Sequence, residues 1–117
     1  MAQYLVLIYD QESEWVESAE TGGDTHTDLM ERHNAFAEKH GSAMKGGAAL
    51  APVASTTTIR KGADGDLVTT DGPFAEAKEV VGGYYLIDAK DLDEALEIAK
   101  DVPFLNGGLE VRPVWEM

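Results

Sequence analysis

The sequence predicts an α+β fold: one open, mainly antiparallel sheet with two helices on one face. Three observations predict it. Strand-like and helix-like stretches follow one another in the order β, α, β, β-hairpin, β, α, β. The helical stretches carry apolar residues at helical spacing, while the others are rich in β-branched and aromatic residues. At 117 residues the chain is of a size that folds around one core, so residues 1–117 are expected to form a single domain.

The first strand is "QYLVLIY", Gln3 to Tyr9. Val6 and Ile8 point one way and Leu5 and Leu7 the other, so both faces are apolar. The polar run that follows, with Gly22 and Gly23, reads as a loop with a helical turn near Trp15. "DLMERHNAFAEKHG" reads as the first helix, with Thr27 or Asp28 as cap and Gly41 as stop. "AALAPVAS" starts a strand that Pro52 breaks. "TTTIRKGADGDLVTT" is two β-rich runs around Gly62–Asp66, a hairpin. "VVGGYYLID" is another two-sided strand, whose Gly82 and Gly83 mark a bulge or a close backbone approach.

"DLDEALEIAKDVP" is the second helix. Asp91 and Glu94 have capping-box spacing. Leu92, Ala95, Leu96 and Ala99 form an apolar stripe, and Pro103 ends the helix. "LEVRPVW" is the last strand, and its Pro113 needs an edge or bulge position.

Two helices on one face of such a sheet make the ferredoxin-like plan. Its other face then needs a cover. Leu5, Leu7, Tyr85 and Ile87 cannot all face the helices together with Val6, Ile8, Tyr84 and Leu86. A bare apolar sheet face is larger than monomers usually expose. A second copy packed sheet to sheet would cover it, so a homodimer is expected.

Nine basic residues stand against 22 acidic ones, a formal net charge of −13. A phosphate backbone is repelled by such a surface, which argues against direct nucleic-acid binding. The acidic residues are spread over nearly every segment and read as a solvated surface. Cysteine is absent, consistent with a reducing compartment. No stretch approaches the roughly 18 apolar residues of a membrane span, and the apolar run near the N-terminus is too short for a signal segment. A cytoplasmic protein is expected.

His26, His33 and His40 recur at seven-residue spacing, on one side of the first helix with Phe36 and Ala37. Seven residues are about 10.5 Å of helix rise, too far for one metal with bonds of about 2 Å. The loop Asp24-Thr-His26-Thr-Asp28 offers oxygen and imidazole ligands, but short Asp-rich loops are common. No metal or cofactor is expected. His33 lies mid-stripe. It reads either as a packed histidine bonded to a neighbour or as a general base at a helix–sheet cleft. His40, beside Gly41, suits the C-terminal end of the helix dipole.

The corner Asp71-Gly72-Pro73-Phe74 has two compatible readings. In the structural one, Gly72 reaches backbone angles closed to other residues. Pro73 opens a short helix over "FAEAKE", Asp71 accepts from backbone N–H groups of that turn, and Phe74 anchors the turn in the core. In the functional one, the rigid turn holds Asp71 at the cleft mouth, where it orients a histidine. Glu76, Lys78 and Glu79 read as a solvated face, and Arg112 as the partner of a carboxylate or an anion.

The stretch "TTDGPFAEAKEVVGGYYLID", followed by "DEALEIAKDVPF" and "EVRPVWEM", resembles the DGPF-domain proteins of the YCII-related family. The N-terminal "YLVLIY" fits as well. The resemblance implies a ferredoxin-like domain that dimerises into an α+β barrel-like assembly. It also implies a small enzyme with a histidine and an aspartate at a cleft, or a signalling partner of an extracytoplasmic-function sigma factor. The family's R-x-x-H-L motif is not matched: counted back from Gly41, its histidine falls on Met30, with His26 one turn earlier and His33 one turn later. Asp71, His33 and His26 are therefore the candidate catalytic residues. The expected function is a small-molecule-binding or enzyme-like homodimer, and the alternative is a non-catalytic sigma-factor accessory.

Overall fold

The computed structural model describes residues 1–13, 24–74 and 79–116, and the backbone alone at 24–26. The elements are β1 (Ala2–Gln11), α1 (Asp24–His40), β2 (Met44–Ala49), a 3₁₀ turn (Val53–Ser55), β3 (Thr57–Lys61), β4 (Leu67–Asp71), β5 (Glu79–Ala89), α2 (Leu92–Ala99) and β6 (Gly108–Pro113). Four strands form an antiparallel sheet in the order β2-β5-β1-β6, and β3 and β4 form a separate ribbon. With both helices on one face, this is the ferredoxin-like α+β arrangement. No helix among the described residues is long and apolar enough to cross a membrane.

Register decides which side chains meet. Tyr4 pairs with Ile87, Val6 with Tyr85 and Ile8 with Gly83 on β5, while Val6 pairs with Val111 on β6. Opposed residues share a face, so these line the helix side. Tyr4, Val6, Ile8 and Ile87 join Phe36 of α1 and Ala95, Ile98 and Ala99 of α2 in one buried cluster, with Tyr85 and Val111 packed against it. The other face carries Leu5 and Leu7, with Tyr84 and Leu86 opposite them on β5 and Arg112 and Glu110 opposite them on β6. Neither helix covers it. Arg112 pairs there with Glu110 at 2.5 Å, the carboxylate partner expected for it.

Four local expectations are corrected. The second strand is Met44–Ala49 and ends where it was expected to start. The first helix begins at Asp24, so Thr27 and Asp28 lie inside it, and the Asp24–Asp28 segment is helical, not a loop. The buried stripe of α2 is Ala95, Ile98 and Ala99, continued by Val102, while Leu92 and Leu96 are exposed. Phe74 is 65% exposed and not a core anchor. The Arg60 guanidinium covers its ring at 3.9 Å and donates to its carbonyl, so the phenyl stays on the ribbon. The helix expected over residues 74–79 and the turn near Trp15 lie outside the described residues, apart from their ends.

The α2 cap forms as its spacing predicts. The Asp91 carboxylate accepts from the Glu94 N–H at 2.9 Å, and Glu94 reaches back to the Lys90 N–H at 3.1 Å. The end of α1 is held by Asp101, whose carboxylate lies 2.7 Å from His40 Nε2 and 3.0 Å from Lys39 Nζ. These contacts hold Asp101 below the usual carboxylate range, through the His40 hydrogen bond first and the Lys39 one second.

The ribbon stands apart. Gly62 N–H donates to Asp66 C=O and Gly65 has φ 90°, which closes its turn. At its base Gly72 N–H donates to Thr56 C=O at 2.8 Å, and Thr58 Oγ1 donates to Gly72 C=O at 2.6 Å. Ile59 and Leu67, on one ribbon face, are 62% and 71% exposed. The radius of gyration, 16.2 Å, exceeds the about 13 Å of a compact chain this long.

Candidate functional site

A cavity of about 400 Å3 lies between α1 and the sheet. Leu29, Met30, His33 and Ala37 of α1 form one wall, and Gly47–Ala49 of β2 with Gly82–Tyr85 of β5 form the other. Ile8, Asp10 and Pro103 close it. Small residues on β2 and β5 leave this room, because the sheet there presents backbone and methyl groups where larger side chains would meet α1.

His33 is the histidine that the fold brings to the cavity. Its Nδ1 lies 2.7 Å from the Tyr85 hydroxyl. Phe36 supports the pair, its ring 4.8 Å from that of Tyr85. Burial lowers the His33 pKa below its ordinary value, and the nearby Arg32 adds to this. Burial raises that of Tyr85. Both groups are therefore neutral near pH 7.

A neutral pair has two useful tautomers. In one, the Tyr85 O–H donates to Nδ1 and His33 keeps an Nε2–H for a ligand. In the other, Nδ1–H donates to the hydroxyl oxygen, Nε2 is a free base, and the phenol can donate onward. The pair can thus give or take a proton without either member carrying charge at rest.

Asp10 also lines the cavity, with Asn34 of α1, and is 6% exposed. It ends the alternation Tyr4, Val6, Ile8, Asp10, so it faces the helices. Its Oδ1 accepts from the N–H groups of Leu105, Asn106 and Gly107 at 3.0, 2.8 and 2.9 Å. Its Oδ2 has only the shared Leu105 N–H, at 3.2 Å. One oxygen fixes the loop between α2 and β6, and the other retains acceptor capacity. Gly107 is required by this approach, since a Cβ there would lie 1.8 Å from Tyr9 C=O.

The sequence-derived candidates separate. His33 lines the cavity. His26 lies in the first turn of α1, and its side chain is outside the described residues. Asp71 ends β4 on the ribbon, is exposed and does not line the cavity. Within one chain His33 is bonded to Tyr85, not to Asp71. Gly72 has φ 101°, the left-handed conformation the corner invites. Among the described residues no three His, Asp or Glu side chains cluster as a metal site.

Sequence reasoning missed Asp10 and Tyr85. A signal existed for the first: an acidic residue in phase with Val6 and Ile8. For Tyr85 the face is set by the register of β5 against β1, which places it opposite Val6 and which spacing alone does not give.

The model of a family described as YCII-related domain matches residues 2–117. The chain is also 41% identical over 116 residues to an uncharacterized protein of Rhizobium meliloti (strain 1021). That alignment covers 95% of this chain and 90% of the relative.

Proposed function

The chain belongs to the YCII-related family, and on that premise we propose that it is a homodimeric small-molecule-binding domain whose cavity performs proton transfer. The observation that carries the reading is the 2.7 Å contact between His33 Nδ1 and the Tyr85 hydroxyl at the wall of an about 400 Å3 cavity. A cavity of this size suits a small organic ligand. Its lining is mostly apolar, with Asp10 and the His33–Tyr85 pair as the groups that would orient a ligand.

In this reading His33 Nε2 removes a proton from a ligand atom beside a carbonyl or from a hydroxyl, and Tyr85 donates to the oxygen that gains charge. Dimerisation through the open sheet face would bury Leu5, Leu7, Tyr84 and Leu86. Asp71 has no part in the proton path of a single chain.

The test is a metabolite thermal-shift screen. A ligand at 100 times its Kd should stabilise the protein by about 2.7 kcal/mol, and His33→Ala and Tyr85→Phe should weaken that effect. Robust binding of an extracytoplasmic-function sigma factor, with no metabolite stabilising the protein, would replace this reading with the signalling one.

A further inference from the structure

The glycines around the cavity answer differently to an added methyl group. At Gly47 a Cβ would lie 2.8 Å from Tyr84 C=O and 2.8 Å from the Tyr85 ring. At Gly83 it would lie 3.0 Å from Ala48 C=O. The neighbouring strand leaves no room at Gly47 and little at Gly83. At Gly82 a Cβ would meet nothing within 4 Å among the described residues, and the backbone there is not in the positive-φ region. Neither packing nor conformation requires glycine at 82. Glycine within a strand is entropically unfavourable and marks a bulge or a place where another molecule approaches the backbone closely.

Gly82 lines the large cavity and also a water-sized cleft that shares Asp10 with it. Its place in the strand is unusual. Ile8 pairs with Gly83 and Tyr9 with Val81, so Gly82 is the unpaired residue of a β-bulge. Its carbonyl accepts from Leu50 N–H at 2.8 Å, which fixes the peptide. Ala49, opposite Gly83, continues the same wall with its methyl group. The wall is a ledge of bare backbone facing the apolar side of α1, with the His33–Tyr85 pair at its side.

We infer that Gly82 is a specificity-determining residue, whose exposed peptide supports the flat face of a ring-bearing or conjugated ligand with its polar substituent toward His33 and Tyr85. The inference rests on the cavity being a ligand site. A flat molecule can lie in van der Waals contact with a bare peptide over its whole face. A puckered molecule of the same skeleton touches it at fewer points, and a methyl group at 82 lifts either one away.

Two probes with one carbon skeleton isolate the effect: 2-naphthol, which is flat, and trans-decahydro-2-naphthol, which is puckered. Affinities are measured by NMR titration in the wild type, Gly82→Ala, His33→Ala and Tyr85→Phe, following the resonances of His33 and Tyr85 wherever each is retained. The wild type should bind the flat probe at least tenfold more tightly. Gly82→Ala should keep the wild-type melting temperature or exceed it, and should lose that preference by weakening the flat probe tenfold or more. His33→Ala and Tyr85→Phe should weaken both probes and keep the preference. Equal affinities for the two probes, or a Gly82→Ala protein with unchanged preference, would overturn the role of Gly82 while leaving the cavity a ligand site. Failure of both probes to perturb His33 and Tyr85 would overturn the ligand site and the inference with it.

Discussion

The imidazole of His33 and the phenol of Tyr85 meet at 2.7 Å although 52 residues separate them in the chain. Replacing Tyr85 by Phe keeps the ring contact with Phe36 and removes the hydroxyl. The half-buried Nδ1 then lacks a protein partner. We expect a loss of roughly 0.5–1.5 kcal/mol, read from urea denaturation.

The pH dependence follows from the direction of the His33 shift. Its folded pKa lies below the ordinary value, through burial and then Arg32. As pH falls through about 6.5 the unfolded chain takes up a proton that the folded one does not. Stability is therefore lost from about that pH downward, until the lower native pKa is reached. Between pH 7.5 and 5.5 the wild type should lose more stability than His33→Gln. Equal losses in the two proteins would mean that His33 is as solvated when folded as when unfolded.

Asp10 should be the most sensitive polar position. Asp10→Ala leaves the N–H groups of Leu105, Asn106 and Gly107 without their acceptor, at a cost of roughly 3 kcal/mol or more. Asp10→Asn keeps one acceptor oxygen and should cost less. Chemical denaturation of both variants, with amide exchange at residues 105–107, separates the loss of the loop from a global effect.

Gly72→Ala places a side chain at φ 101° and should cost on the order of 1 kcal/mol or more. Because Gly72 closes the base of the ribbon on Thr56 and Thr58, the damage should concentrate there. An unchanged melting temperature together with unchanged exchange at Thr56–Thr58 would show the corner to be unconstrained.

Light scattering at micromolar concentration should give about twice the chain mass. Leu7→Asp places a charge at the centre of the open sheet face and should give the monomer mass. A wild-type monomer would defeat the sheet-to-sheet pairing.

The order of elements was legible because each carried its own local signal. The β1 alternation separated its faces, Gly41 ended α1, and Asp91 with Glu94 opened α2. The site was less legible. Asp71 drew attention because Asp-Gly-Pro is a conspicuous corner, yet a hairpin's sequence does not say which edge, if any, it pairs with. The β3–β4 ribbon joins neither edge of the main sheet, and Asp71 goes with it. His33 could be placed by helical phase. Its partner could not, since Tyr85 is brought to it by the register of β5 against β1.

The independence of the ribbon also makes it a handle. The Gly62–Asp66 turn contributes nothing to the cavity or the buried core. Lengthening a flexible loop costs only about 0.6 kcal/mol per doubling, so inserted residues between Ala63 and Asp64 should leave the rest of the domain folded. A fluorophore carried there would report by energy transfer how far apart two copies hold their ribbons.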